Sequence, residues 1–448
     1  MRTSSSLAAF GSNPLSVREG LHYGLLGLPL AFCALPLYVL LPNLYAREFQ
    51  VPLATLGALL LGSRLFDAMI DPLVGRWCDR IYAKSTQAIL TFGAVAAAVL
   101  GLGFSLLFFP PRKDAEGLLV VTALLLVVTY SAYSALSVAH QSWGARLGGG
   151  DTQQSRIVAW REGLGLAGVV LASVTPALLG LPFLVAGFLV SLIIGWVAWT
   201  RAVRPNRPIA FMASTLPLEM QAANTGTNVT QAGIWHPWHN PAFRRLLGVF
   251  LLNGIASAVP ATLILFFVQD RLQAPEAMQP LFLGSFFICG ALSMPLWLRM
   301  VKGFGLARSW LVGMALSIAV FLTAAQLGAG DTAAFVLVCA LSGLALGSDL
   351  ALPGALLARV VADNGDQGRS EGVYFGWWNF VTKLNLALAA GVALPLLSLF
   401  GYAPGTRDEN GLQALTVAYC LLPVALKTLA ALALHFLIVR SQADGRLK

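Results

Sequence analysis

The stretch RLFDAMIDPLVGRWCDR, residues 64–80, follows the apolar run LGALLLGS at 56–63 and carries six charges into it. Its own helical spacing separates those charges into two groups. Arg64, Asp67 and Asp71 stand at i, i+3 and i+7, close to one face of a helix. Arg76, Asp79 and Arg80 follow where the apolar run ends. Whether this stretch is a solvated cluster or a bilayer helix decides the fold, and the rest of the chain answers that.

Of 448 residues, 57% are hydrophobic and only 11% charged, against about 25% charged in a water-soluble domain. Apolar stretches of 18 residues or more point to membrane helices, not to the short alternating strands of a barrel. Twelve such segments can be read, at about 21–43, 52–77, 87–109, 118–143, 157–179, 181–200, 244–268, 279–300, 308–327, 333–358, 371–399 and 413–439. The expected fold class is an all-α membrane protein of twelve transmembrane helices. Prolines 29, 36, 72, 176, 260, 295, 353 and 395 fall inside these runs, where kinks are expected. The polar start has no signal-peptide core, so the first segment is expected to direct insertion. Cys33, Cys78, Cys289, Cys339 and Cys420 are scattered, and neither disulfides nor a cysteine metal site is expected.

Loop charge gives the orientation. Arg76, Arg80 and Lys84, Arg146 and Arg156, Arg201, Arg204, Arg207, Arg244 and Arg245, Arg299, Lys302 and Arg308, and Arg359 and Arg369 lie on one side, with Arg2, Arg18, Arg440, Arg446 and Lys448 at the termini. The other side holds only Arg47, Arg112, Lys113, Arg271 and Arg407. Both termini are therefore expected in the cytoplasm, with the chain in a plasma (bacterial inner) membrane. The same asymmetry accounts for the net charge of +9, so no nucleic-acid partner is expected.

The longest connection, 201–243, contains RPNRP, NTGTN and HPWHNP and reads as a solvated linker. Its sequon at Asn228 falls on the cytoplasmic side and is discounted as a glycosylation site. The linker separates an N-terminal six-helix bundle, 1–200, from a C-terminal one, 244–448. GSRLFDAMIDPLVGR in the second segment echoes GSFFICGALSMPLWLR in the eighth, and SWGARL echoes ALLARV. Parallel six-helix repeats of this kind mark the major facilitator fold.

A charge at the centre of a membrane helix costs about 2.5–3.5 kcal/mol on insertion scales, so intramembrane polar residues are candidate site residues. Two carboxylates about 6 Å apart at an effective dielectric near 20 repel by roughly 3 kcal/mol. A proton or small cation between Asp67 and Asp71 relieves that repulsion. The pair is accordingly the candidate cation or metal site, with Arg64 offsetting part of the charge. Ser134, Ser137, His140 and Gln141 line the fourth segment at helical spacing. Asn253, Asp349 and Lys383 are further intramembrane candidates; Asp349 has no compensating charge nearby in sequence, and Lys427 reads as structural. Asp67-x₃-Asp71 is also the spacing with which diphosphate-handling enzymes hold Mg²⁺, with Asp363 and Asp366 as a second cluster. The depth of Asp67 and the two-by-six organisation argue against an enzyme.

Together, YGLLGLPLAF at 23–32, the R-x-x-D-A-x-x-D-P pattern at 64–72, SVAHQSWGARL, SRIVAWREG and RSEGVYFGWWNFVTKL resemble the glycoside–pentoside–hexuronide:cation symporter family. The resemblance implies alternating access and symport of a small organic solute such as a sugar, driven by Na⁺ or H⁺, with no cofactor beyond the coupling ion. It assigns cation binding to Asp67 and Asp71, with Ser134 and Ser137 at the fourth-helix positions completing the site. It assigns solute contact to Arg161 and Lys383. His140, Gln141, Asp349 and Asn253 join them as substrate-binding candidates from their positions. The partners expected are the solute and the lipid bilayer, and the chain is expected to be a monomer. Departures are visible: a charged pair in the family's first helix aligns with Leu30 and Ala31, a fourth-helix aspartate is Ser137, and a tryptophan aligns with Gln141. An apolar first helix also suits an amphiphile, so lysophospholipid transport in the same superfamily is the alternative.

Overall fold

The computed structural model describes residues 15–51, 53–111, 115–205, 233–399, 401–402, 405 and 407–443. Most of the linker, with Arg207 and Asn228, lies outside the described residues, as do Arg2, Arg112, Lys113, Arg446 and Lys448. Every regular element among the described residues is helical.

The first unit begins with α1 (Val17–Gly24), α2 (Gly27–Leu35) and α3 (Leu41–Arg47), followed by α4 (Leu53–Lys84), α5 (Thr86–Phe108), α6 (Ala115–Arg146), α7 (Asp151–Leu179) and α8 (Leu181–Thr200). After the linker come α9 (His236–His239), α10 (Pro241–Phe266), α11 (Gln279–Phe304), α12 (Leu306–Ala324), α13 (Thr332–Asp363), α14 (Glu371–Leu399), α15 (Glu409–Thr416) and α16 (Leu422–Leu434). Ten helices among the described residues are long and apolar enough to cross a bilayer. Leu53–Lys84 and Glu371–Leu399, the other two expected segments, form helices of 32 and 29 residues that carry Arg64, Asp67 and Asp71, and Lys383, respectively.

Proline accounts for much of the departure from plain helices. The first expected segment breaks at Leu25–Leu26 because Pro29 has no N–H to give the Leu25 carbonyl, which Leu28 N reaches instead at 3.3 Å. A π-turn runs over Pro36–Leu40, and the Leu41 N–H closes on the Pro36 carbonyl. Ends are set by side chains and by glycine. Ser16 and Glu19 form a reciprocal capping box on α1, and Ser85 caps α5 through Ala88 N at 3.0 Å. Gly180 (φ 89°) and Gly305 (φ 78°) turn the chain in one residue between α7 and α8 and between α11 and α12.

The chain divides into two compact units, Met1–Asn240 with Ala358–Phe380, and Pro241–Leu357 with Val381–Lys448. A division at the linker alone would put 358–380 with the second unit; ion pairs and close backbone contacts hold it to the first. Within the first unit, Trp143 and Trp199 meet edge-on at 5.3 Å and Phe104 packs on Phe188 at 4.3 Å. Lipid offers no hydrophobic drive between helices, so small residues set their approach. Gly24 and Gly27 lie against the backbone of Trp160 and Arg161, and Gly168 against Leu28. The second unit has its own aromatic core, with Phe267 stacked on Tyr419 at 4.2 Å.

Helix α4 has two opposite faces. Leu61, Leu65, Met69, Leu73 and Trp77, at steps of four, are exposed apolar side chains, a lipid-facing stripe for a bilayer helix. Ser63, Asp67, Asp71, Val74 and Cys78 are buried.

Candidate functional site

The buried face of α4 meets α6. Ser134 Oγ donates to Asp67 Oδ1 at 2.7 Å, and both residues are almost fully buried. Asp71 is completely buried, four residues on. Next to it the backbone of α14 comes close: Gly376 lies against the Asp71 carbonyl, and Gly75 and Gly372 leave each other no room for a methyl. Asp71 is thereby held in a packed seam between α4 and α14. Arg64 sits apart from the carboxylates' inward face. It is exposed, and its guanidinium lies over the Tyr38 ring at 4.0 Å. The expected charge stripe is thus two inward aspartates flanked by an arginine held on a tyrosine.

Two carboxylates and a hydroxyl suit a proton or a monovalent cation. No cluster of three or more His, Cys, Asp or Glu side chains able to hold a metal ion is found among the described residues.

The structure places the other candidates variously. Ser137 is buried and accepts from Gln141 Nε2 at 3.2 Å, a partner on its own helix. His140 is fully buried: its Nε2 lies 2.8 Å from the Tyr23 carbonyl oxygen and its ring 4.4 Å from the Tyr23 ring, a position inside the helix packing. Arg161 donates through Nε and Nη2 to Glu162 Oε1 at 2.9 and 2.5 Å. Sequence reasoning passed over Glu162, although the adjacent Arg-Glu in an apolar run was its signal. In the second unit, Asn253 is buried and Lys383 is half-buried on α14.

Asp349, with no compensating charge nearby in sequence, finds one across the fold: Lys427 Nζ pairs with its Oδ2 at 2.8 Å and Trp310 Nε1 donates to its Oδ1 at 2.8 Å. The compensating charge comes from α16, far along the chain, so local sequence could not reveal it.

The second charge group of the opening stretch builds a separate cluster where α4, α6 and α14 meet. Asp79 accepts from the backbone N–H groups of Gly372 and Val373 at 2.8 and 2.9 Å, capping the N-terminus of α14 and meeting its positive dipole end. Arg146 Nη2 donates to Asp79 Oδ1 at 2.7 Å and forms an ion pair with Glu371 Oε2 at 2.9 Å, while Nη1 donates to the Gly368 carbonyl at 2.9 Å. Its guanidinium lies 4.2 Å over the Tyr82 ring. Nearby, Arg359 pairs with Asp151 at 2.7 Å, and Asp366 meets His236 Nε2 at 2.9 Å and accepts from the Tyr374 hydroxyl at 2.8 Å. These contacts account for the assignment of 358–380 to the first unit.

Comparison with known proteins agrees with this architecture. The profile of the MFS/sugar transport protein family matches residues 21–440. The uncharacterized symporter YjmB of Bacillus subtilis is 24% identical over 442 residues, covering 92% of this chain and 90% of its own. The sphingosine-1-phosphate transporter MFSD2B of Mus musculus is 23% identical over 432 residues, covering 88% and 83%. Among solved structures, an outward-facing bacterial homologue of the iron transporter ferroportin superposes with a TM-score of 0.64 at 16% identity, covering 94% of this chain and 98% of that one. The chain is therefore an integral membrane transporter with the major facilitator fold, not an enzyme, and belongs to the MFS/sugar transport protein family.

Proposed function

We propose that the chain is a Na⁺- or H⁺-coupled symporter of a small hydroxylated solute, a sugar or glycoside, working by alternating access. It works as a monomer in a plasma (bacterial inner) membrane with both termini cytoplasmic. The observation that carries the coupling is the buried Ser134–Asp67 bond beside fully buried Asp71. Two carboxylates within one helical turn repel in a low dielectric, and an ion bound between them lowers that energy. Asp67, Asp71 and Ser134 are its direct ligands in this reading, with Ser137 held nearby by Gln141. Within the first unit, Arg161, set by Glu162, and Gln141 are the candidate solute-contact residues; within the second, they are Lys383 and Asn253. The coupling ion is the only non-protein component required.

A lysophospholipid cargo is the second reading, favoured by the similarity to MFSD2B and by apolar Leu30 and Ala31 in the first helix. Uptake into proteoliposomes of labelled sugars and labelled lysophosphatidylcholine, each with and without imposed Na⁺ and H⁺ gradients, tests both. Gradient-driven uptake of sugar alone is the expected result. Lysolipid uptake without sugar uptake overturns the proposal in favour of the second reading.

A further inference from the structure

The second unit contains polar side chains that its own packing leaves incompletely satisfied. Asn253 on α10 is 3% exposed and Asn385 on α14 is 4% exposed. The Oδ1 of each amide is buried without a hydrogen-bond donor. Asn385 lies directly against Gly254, where any side chain would collide with its amide. One turn further along α10, Ser257 accepts from Lys427 Nζ at 3.0 Å, and Lys427 in turn pairs with Asp349 at 2.8 Å. Positions 253 and 257 share a helical face, which puts Asn253 one turn from the Ser257 that Lys427 reaches. Lys383, two residues before Asn385, leaves α14 on a different face.

A buried acceptor without a donor costs about 1–3 kcal/mol, and native proteins retain few of them. Two such acceptors, Asn253 and the Asn385 that packs on the next residue of α10, Gly254, come from distant segments and have the character of a binding site. Charge narrows the ligand. Asp349 is already neutralised by Lys427, so a cation bound at the amides would find no free counter-charge. A carboxylate or phosphate would meet oxygen acceptors where it needs donors. An uncharged group bearing O–H donors fits.

We infer that Asn253 and Asn385 form a solute subsite whose amide oxygens accept hydrogen bonds from the hydroxyls of an uncharged sugar, selecting it over uronates and lysophospholipids. This rests on the transport reading above and specifies its substrate class.

The test uses the full-length protein in proteoliposomes with tritiated D-glucose, D-xylose, D-galactose, D-glucuronate and lysophosphatidylcholine, plus monodeoxy analogues of whichever sugar is moved. The variants are Asn253→Leu and Asn385→Leu, close in volume and lacking the amide oxygen. The expected result is uptake of an uncharged sugar by the parent protein. Each variant should lose roughly 10–100-fold in apparent affinity, and the penalty for removing one sugar hydroxyl should disappear in one of them. Their thermal midpoints should stay level or rise, because an unsatisfied buried oxygen is removed; a merely structural role would lower them. Unchanged sugar affinity in both variants, a lowered midpoint, preference for glucuronate, or an altered Na⁺ requirement with sugar affinity intact each overturns the inference while leaving symport standing. Failure of the parent protein to move any of the sugars overturns both readings.

Discussion

Ser134 Oγ stands 2.7 Å from Asp67 Oδ1, joining α6 to α4 in a place where neither residue reaches solvent. A hydroxyl in this position can donate to the carboxylate and also offer its lone pairs to a bound cation. The coupling proposal depends on that double use.

Removing the hydroxyl therefore weakens the ion more than the fold. Ser134→Ala should raise the cation concentration needed for half-maximal uptake about tenfold, since a hydrogen bond to a charged group is worth about 1.5–3 kcal/mol. Ser134→Thr should stay within about threefold. Cation titration of solute uptake in proteoliposomes measures both, and an alanine variant with an unchanged cation requirement speaks against the ligand role.

Arg146 is the shared counter-ion of half-buried Asp79 and fully buried Glu371. Arg146→Ala leaves two carboxylates uncompensated and should destabilise the protein by about 3–5 kcal/mol, seen as a lower thermal midpoint in detergent. Arg146→Lys should recover only part, because one ammonium cannot reproduce the forked contacts to Asp79, Glu371 and the Gly368 carbonyl.

Glycines on the same helix should respond in opposite ways. Gly75 touches the Gly372 backbone, whereas Gly57 has nothing within 4 Å of where a methyl would project. Gly75→Ala should part α4 from α14 and lower both stability and uptake. Gly57→Ala should leave stability level or slightly raised, since alanine favours the helix by about 1 kcal/mol. Equal behaviour of the two variants would contradict the packed seam.

In the second unit, Lys427→Met strands Asp349 without its partner and should cost about 3–5 kcal/mol, while the double variant Lys427→Met/Asp349→Asn should regain most of it. Thermal unfolding of the singles and the double gives the coupling directly. Additive losses would mean that the two charges act independently.

Much of the scaffold was legible from residues alone. Leu181–Thr200 begins and ends where its apolar run does, because nothing else in that stretch can satisfy its backbone in lipid. The placement of Asp67 and Asp71 on one helical face was legible too, from their spacing of four residues. What failed to show depends on distant partners. Asp349 looked solitary until Lys427 came alongside it. The helix of the opening stretch runs on to Lys84 because Asp79 finds Arg146 and the α14 N-terminus there. Asn385 went unnoticed because a buried amide between leucines gives no periodic signal; its meaning lies in Gly254 across the helix pair.

The central claim is that Asp67 and Asp71 carry the coupling ion. Its most direct test is solute uptake driven by an imposed Na⁺ or H⁺ gradient in proteoliposomes, for the parent protein and for Asp67→Asn/Asp71→Asn. The account predicts gradient-dependent accumulation that the double variant loses. Uptake that ignores both gradients and survives the double substitution would contradict it.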